Sequence, residues 1–396
     1  MIARRLQALV QRLRSGPMAR TGAVLSRPGA RRRMGTVLLA VVLLCSAPAV
    51  VGALPVSAPE RSVPQLLEAA RSSASVAYTG YAESRGTLNL PDVSNITGPV
   101  LNLLSARSRL RVWNAGANRF RVDRLTLGAE NDAYVSGPIS VTWDSDNRRI
   151  SREVAPSQTP MPTAPDVLPP SLGRRLLELL PADGAGVLKA GDQRVAGRAT
   201  TELRWRPNDP RSLIGDVRLW IDPTNGVPMR VELRPVDSDV IAFETAFVDF
   251  SLTPPTAEDL TFDVGGTPRA DVSDAVPPSD VDLVPPYRLP PSIGGLPQRS
   301  GAAPFIATYG EGAALVAVTA LDSATADSVR QQIDPSGRPG LQASFGEGSL
   351  IQAPMLRALV FSSADRGYIL AGTVTLEVLE RMAQQLVDDP PERTFS

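Results

Sequence analysis

Apolar and polar residues alternate one by one through much of residues 77 to 150, in short runs separated by turn signals. Leu110 and Val112 alternate with Arg109 and Arg111, and Phe120 and Val122 alternate with charged residues in the same way in the next run. Successive side chains of a strand point to opposite faces of a sheet, so this alternation predicts half-buried strands.

The run that ends at Asp144-Ser145-Asp146-Asn147 is expected to close in a hairpin turn rather than a calcium loop, because Arg148 stands where such a loop needs an oxygen ligand.

The same alternation returns after an interruption, in four further runs at residues 202–206, 217–221, 229–233 and 240–252. Between the second and third of these runs lies Asp222-Pro223-Thr224-Asn225-Gly226, in which Pro presets one turn dihedral and Asn-Gly accepts a positive φ. Together the runs predict an antiparallel meander of about eight or more strands, and such a sheet curves.

Two short helices are expected beside this sheet. Ser62 is a suitable N-cap with a proline in the first turn, and Leu66, Leu67 and Ala70 would form one apolar face. A second helix is predicted over residues 171–180, after a proline-rich stretch at 155–170 that cannot join a strand ladder.

Several segments in this order resemble the LolA-like superfamily, and within it the MucB/RseB type of sigma-factor regulatory protein. The resemblance covers most of residues 60 to 387. It is carried by Tyr78-Thr79-Gly80-Tyr81, Arg111-Val112-Trp113, residues 119–123, 220–230, 249–251 and 260–264, and by Gly367–Val374 with the helix that follows.

The resemblance implies a fold and a function. The fold would be α+β, with a curved antiparallel β half-barrel, a helical lid and a smaller C-terminal α+β domain. The partners would be the acyl chains of a lipid or lipoprotein, and an anti-sigma factor or another membrane regulator. No catalytic residue, metal or cofactor is implied.

The apolar members of the alternating runs are the candidates for a ligand pocket. Alternation shows that a sheet has two faces without assigning them, and each of these residues could equally belong to an ordinary core. The candidates are Leu110, Val112, Phe120, Val122, Trp143, Leu203, Trp205, Leu219 and Val231.

Histidine is absent, and Cys45 is the only cysteine. These absences remove Ser-His-Asp and Cys-His triads, imidazole or thiolate zinc sites and structural disulfides. Paired carboxylates stay open as acid-base groups, although most acidic residues here lie in turns or on polar strand faces. The sequence therefore favours a binding protein over an enzyme.

The N-terminal residues indicate export. Residues 1–34 carry nine arginines and no acidic residue, and residues 35–59 carry no charge. This is typical of a basic cytoplasmic segment followed by a segment that inserts in the membrane. Two outcomes are open: cleavage near Ala49 or Ala53, or a retained single-span anchor.

Without that segment the chain is acidic. The full chain has 41 basic and 41 acidic residues, so removing nine arginines leaves 32 basic against 41 acidic. Binding to a phosphate backbone needs an excess of Lys and Arg, and nucleic acid is therefore a poor partner.

Composition also divides the chain. Residues 266–303 are rich in Pro, Gly, Asp and Ser and predict a semi-extended linker that acts as a hinge. The predicted organisation is a basic segment at 1–34, a signal peptide or anchor at 35–59, the LolA-like domain at 60–265, the linker at 266–303, and a small α+β domain at 304–390.

Three functions follow in order of preference. The first is a non-catalytic sensor outside the cytoplasm that binds a lipid or lipoprotein in an apolar pocket and regulates an anti-sigma factor or similar membrane regulator. The alternative is an envelope carrier of lipids or lipoproteins, which would fit a cleaved N-terminus better than a retained anchor. The third is a carboxylate-dependent envelope enzyme, for which no residue pair can be nominated.

Overall fold

The computed structural model of the chain describes residues 36–37, 56–87, 103, 107–126, 128–154, 163–180, 184–263, 271–274, 287–299, 306–334 and 340–394. The chain divides into two compact units, Met1–Val56 and Ser57–Ser396, and every element below belongs to the second. The predicted basic segment and both predicted cleavage positions lie outside the described residues. None of the helices within these ranges is long and apolar enough to span a bilayer.

One large sheet contains twelve strands. They are β1 (Tyr78–Gly86), β2 (Arg107–Asn114), β3 (Arg119–Leu125), β4 (Glu130–Ser136), β5 (Ile139–Asp144), β6 (Arg149–Val154), β7 (Val187–Val195), β8 (Arg198–Trp205), β9 (Ile214–Ile221), β10 (Pro228–Pro235), β11 (Phe243–Ser251) and β12 (Asp271–Asp274). Their spatial order is β12-β6-β5-β4-β3-β2-β1-β11-β10-β9-β8-β7. Two antiparallel meanders, β1 to β6 and β7 to β11, thus meet where β1 pairs with β11, and β12 adds to β6 in parallel.

The large sheet is open and strongly curved. Its edge strands β12 and β7 lie at opposite ends of the order. Neighbouring strands lie about 4.8 Å apart, so a flat sheet would hold β7 about 19 Å from β11. In the structure these two strands contact each other although three strands separate them. The predicted antiparallel half-barrel is therefore confirmed.

Two helices cover one face of this sheet: α1 (Val63–Ser72) and α2 (Pro169–Leu177). Helix α1 begins at the predicted N-cap, where Ser62 and Gln65 form a reciprocal capping box. Helix α2 begins two residues before the predicted start, because Pro169 and Pro170 occupy its first positions, which need no amide donor. Gly173 allows α2 to approach the sheet, since a Cβ at this position would lie 2.8 Å from Pro228 Cβ.

Both predicted turns are present. Asp144 Oδ1 accepts hydrogen bonds from the amides of Asp146 and Asn147, at 3.0 and 3.1 Å, and closes the β5–β6 hairpin. Gly226 has a φ of +78° at the end of the β9–β10 turn, where its missing side chain also leaves room for the carbonyl of Ala69.

A second sheet of six strands forms the smaller α+β region. Its strands are β16 (Ala307–Glu311), β17 (Ala314–Asp322), β18 (Leu341–Ala343), β19 (Gly346–Gln352), β20 (Arg357–Ser363) and β21 (Arg366–Gly372), in the order β16-β17-β21-β20-β19-β18. Helix α3 (Ser323–Ile333) packs on one face through Ala326 and Val329. Helix α4 (Leu376–Asp388) packs on the other face through Val378, Leu379 and Met382.

Part of the predicted linker belongs to this smaller core. Residues 287–299 contain β13 (Tyr287–Arg288), which pairs with β22 (Glu392–Arg393), and the hairpin of β14 (Ser292–Ile293) and β15 (Leu296–Pro297). Ile293 and Leu296 are completely buried among the residues of the second core. The proline-rich composition concealed these short strands, and the predicted domain bounds stay a prediction.

The two sheets are joined by backbone hydrogen bonds between the β8–β9 connection and the segment before α4. The amide of Leu213 donates to Thr373 O at 2.8 Å, and the amide of Thr375 donates to Arg211 O at 2.9 Å. Buried Ser212 adds a side-chain bond to Ala313 O at 3.0 Å. We call this contact the seam. A linker alone would not hold the sheets together in this way.

Candidate binding site

Eight of the nine candidate residues lie on one face of the large sheet, which we call the inner face. Val112 pairs with Val122, and Leu219 pairs with both Leu203 and Val231. The two halves share this face because Thr245 pairs with Val231 on one side and with Ser84 on the other. Leu110, Phe120 and Trp205 lie on the same face, because each is two residues away from Val112, Val122 or Leu203 in its own strand.

Trp143 is the exception and lies on the opposite, outer face. It pairs with Asp132, Asp132 pairs with Asp123, and Asp123 pairs with Arg111. Arg111 lies between Leu110 and Val112 in the sequence, so its side chain points away from theirs. The prediction that Trp143 shares a pocket with the other eight is therefore wrong. Alternation within a strand shows two faces, but the pairing register decides which faces of different strands coincide.

The inner face is filled by side chains of the protein itself. Leu110, Val122 and Val231 are 0% exposed, and they form one apolar cluster with Leu67 of α1 and Leu177 of α2. Phe120 is partly buried against the same cluster. Helices α1 and α2 cover these residues, so a ligand could reach them only if one of the helices moved.

An aromatic group lies at the centre of the inner face, where the two meanders meet. The Tyr78 ring stacks on Phe250 at 5.3 Å between centroids and meets Phe247 edge-on at 5.7 Å. Burial raises the pKa of the Tyr78 hydroxyl far above its ordinary value. This group would form an apolar floor beneath the contact between α1 and α2.

The outer face is polar and carries a ladder of ion pairs. Arg230 contacts Glu232 and also Glu244, the latter at 2.9 Å, while Arg234 contacts Glu232 at 2.9 Å. The Arg230 guanidinium also lies 4.6 Å from the ring centroid of Trp220. Glu232 is only 3% exposed, so these arginines compensate a carboxylate that is almost fully removed from water.

Three acidic residues of the outer face form the one group in the described ranges that could hold a metal ion. Ligand oxygens of Asp123, Glu130 and Asp132 lie within 4.8 Å of one another. Burial, helped by Asp123 and Glu130, raises the pKa of Asp132 to about 7. Arg121 already provides positive charge here, with its Nε 2.6 Å from Asp123 Oδ1. Sequence analysis missed this cluster because cross-strand pairing brings it together.

The lid also reaches the smaller sheet region. Ala313 and Met355 belong to that region by sequence, yet they are buried in the same apolar cluster as Leu176 and Leu180. Any displacement of α2 would therefore disturb residues next to the seam. Sequence analysis missed both residues, since they lie in connections without a periodic pattern.

No family model matches the chain, and no curated protein matches it. Among solved structures the chain is similar to the MucA/MucB complex of Pseudomonas aeruginosa, with 17% identity and a TM-score of 0.46 over 81% of this chain and 95% of that one. A second structure, MucB in complex with MucA(peri), has 17% identity and a TM-score of 0.42 over 81% and 95%. A LolA-superfamily protein from Nitrosomonas europaea has 10% identity and a TM-score of 0.23 over 51% and 99%.

These structures are of the LolA and MucB types, which the sequence also resembles. The identities are low and the TM-scores lie below 0.5.

Proposed function

We propose that the chain is a non-catalytic binding protein that works outside the cytoplasm. It takes up the acyl chain of a lipid or lipoprotein on the inner face and, in response, regulates an anti-sigma factor or a similar membrane regulator. The basic and uncharged N-terminal segments, whose export role is a prediction from sequence, would place it in the cell envelope.

The observation that carries the proposal is how the inner face is covered. Two short helices close an open, strongly curved apolar face, where a β-sandwich would use a second sheet. Burial of apolar side chains holds these helices in place, and an acyl chain could replace the lid contacts with apolar contacts of its own.

The seam supports a regulator rather than a carrier. A carrier needs only a lid that opens, whereas a regulator must transmit the lid's position to a surface that a partner can contact. Helix α2 packs into one cluster with Ala313, and the Ala313 carbonyl accepts hydrogen bonds from Ser212 Oγ and Thr373 Oγ1, at 3.0 and 2.8 Å. Ligand uptake would thus change the contacts at the seam.

The first test is to purify the full chain from its native envelope, record its mass under non-denaturing conditions, and identify any bound lipid. Uptake of a fluorescent fatty acid, cis-parinaric acid, by the delipidated chain is then measured for two variants. Leu176→Ala weakens the lid, and we expect it to speed uptake about tenfold or more, since it lowers the free energy of opening. Leu386→Ala removes an equally buried leucine from the second core and should leave the uptake rate unchanged.

Absence of both a bound lipid and probe uptake in every form would overturn the binding proposal. Hydrogen exchange separates regulator from carrier. Faster exchange of the Leu213 and Thr375 amides on ligand binding supports the regulator, while unchanged exchange there supports the carrier.

A further inference from the structure

Arg174 lies in the lid helix α2 without a carboxylate partner in the described part of the chain. Its recorded hydrogen bond is to Ser73 Oγ, at the long distance of 3.5 Å. The ionisable group that faces it is the Tyr78 hydroxyl, which is neutral. The pKa of the Arg174 guanidinium is lowered, because the effect of burial outweighs the opposing effect of Tyr78.

Several other partly buried arginines of the large sheet each contact a carboxylate. Arg121 contacts Asp123 at 2.6 Å, Arg198 contacts Asp222, and Arg230 contacts two glutamates. The neighbour Arg175, which is far more exposed, also has a carboxylate, Asp166, at 2.6 Å. Arg124, also partly buried, donates to Asn131 Oδ1 at 3.2 Å, and the nearby charge of Asp144 opposes the effect of its burial. Arg174 differs from these arginines because the described residues place no acidic side chain close to it.

The position of Arg174 is one that the polar end of a bound ligand could reach. Ser73 follows the last residue of α1, and Tyr78 begins β1 and belongs to the aromatic group of the inner face. Arg174 therefore lies between the two lid helices, above the apolar floor. A cation at such a place would meet the polar end of an amphiphile whose chain lay on the inner face.

We propose that Arg174, with the Ser73 hydroxyl, binds the phosphate or carboxylate group of an anionic amphiphile that enters between α1 and α2. This inference rests on the proposed function and specifies its ligand as anionic. Arginine suits the task because its planar guanidinium offers paired donors to both phosphate and carboxylate oxygens. The bound anion would supply the counterion that the described residues do not provide.

The test compares four probes on the delipidated full chain by calorimetry: dodecyl phosphate, laurate, dodecanol and inorganic phosphate. We expect dodecyl phosphate and laurate to bind about tenfold or more tightly than dodecanol, the range of a charge-assisted hydrogen bond. Arg174→Gln should remove this preference and leave dodecanol binding unchanged. Arg175→Gln, which removes the same charge from the same helix, should retain the preference.

The outcomes separate the two proposals. Equal binding of dodecanol and dodecyl phosphate, or a preference that survives in Arg174→Gln, overturns the inference and leaves the proposed function standing. Failure of every amphiphile to bind overturns both. Binding of inorganic phosphate as tightly as dodecyl phosphate, lost in Arg174→Gln, identifies a free-phosphate site and overturns the amphiphile inference.

A second readout distinguishes a binding residue from a structural one. Arg174→Met keeps the apolar stem and removes the uncompensated charge, so we expect the melting temperature of the ligand-free chain to rise by about 2 °C or more. A structural role for the guanidinium predicts a fall instead, and a fall would overturn the inference. Arg175→Met serves as the matched control and should not raise the melting temperature.

Discussion

The inner and outer faces of the large sheet are built from the same strands, yet they are buried in different ways. On the inner face Val231 pairs with Leu219 beneath the lid, and apolar contacts cover both residues. One position further along the same strand, Glu232 lies on the outer face and is as inaccessible as Leu219, at 3% exposed. Its burial depends on the arginine side chains that lie around it.

On the proposed function, this difference separates the inner face, which would bind the ligand, from the outer face, which would support the sheet. Apolar contacts are non-directional, so a lid held by them can be exchanged for an acyl chain. Ion pairs in a cross-strand ladder require fixed geometry, and removing one partner leaves a buried charge unpaired. On the proposed function, the outer face would support the sheet while the inner face exchanges its cover, and variants of the two faces can test this division.

The largest effect is expected on the inner face, for Leu219→Asp. An unpaired carboxylate placed in the apolar cluster should cost at least about 4 kcal/mol of unfolding free energy, which can prevent folding of the large sheet. Urea denaturation followed by circular dichroism measures the loss. Leu219→Met, which preserves volume and polarity, should cost less than about 1.5 kcal/mol. Similar stability of the two variants would contradict the buried inner face.

A smaller effect is expected on the outer face, for Glu232→Ala. The substitution leaves Arg230 and Arg234 without their shared carboxylate, and we expect a loss of about 3 kcal/mol in the same urea experiment. Arg85→Ala breaks the pair with Glu244 at 2.8 Å, where the arginine is 65% exposed, and should cost less than about 1 kcal/mol. Equal losses of unfolding free energy in the two variants would show that burial does not increase the contribution of these ion pairs to stability.

The smallest of the three effects has the opposite sign and belongs to Asp132. Its pKa is about 7 in the folded protein, above the value of about 3.9 in an unfolded chain. The folded state therefore binds more protons between these values, and this group lowers stability as pH rises from about 4 to about 7. Asp132→Asn should raise the unfolding free energy at pH 8 by about 2 kcal/mol and flatten that pH dependence.

The control for this prediction is Asp237→Asn, a carboxylate in an exposed turn. It should leave the unfolding free energy at pH 8 unchanged, because this side chain is exposed. A pH profile of Asp132→Asn that matches that of the unmodified protein would contradict the buried acidic cluster and weaken the view of the outer face as a compensated surface.

Local features were well predicted from the sequence. The Ser62 cap, the turn at Asp222–Gly226 and the alternation around Leu110 each depend on a few neighbouring residues, and the structure contains all three. Eight of the nine residues chosen as pocket candidates lie on the inner face, and their role in binding a ligand stays a prediction. Trp143 was misplaced because its strand alternates as cleanly as the others, and the error arises only when registers are followed across β3 and β4.

Contacts between distant segments were not predicted. Composition suggested a free linker over 266–303, but the hairpin around Ile293 and Leu296 packs into the smaller core. The seam was also missed, since the amides of Leu213 and Thr375 bond to carbonyls far away in the sequence. No neighbouring residue in the sequence indicates that a backbone amide or carbonyl will form such a long-range hydrogen bond.

The sequence by itself determined many elements of this protein: the alternating strands of the large sheet, the start of α1, the two turns, and the presence of two different faces on each strand. These features follow from side-chain periodicity and from the backbone preferences of single residues, which act over a few positions. Only the tertiary structure decided which faces coincide, that α1 and α2 cover the inner face, and that Arg174 lies beside Tyr78 without a carboxylate in the described residues. Register, curvature and charge compensation depend on residues far apart in the chain, so they exist only once the chain has folded.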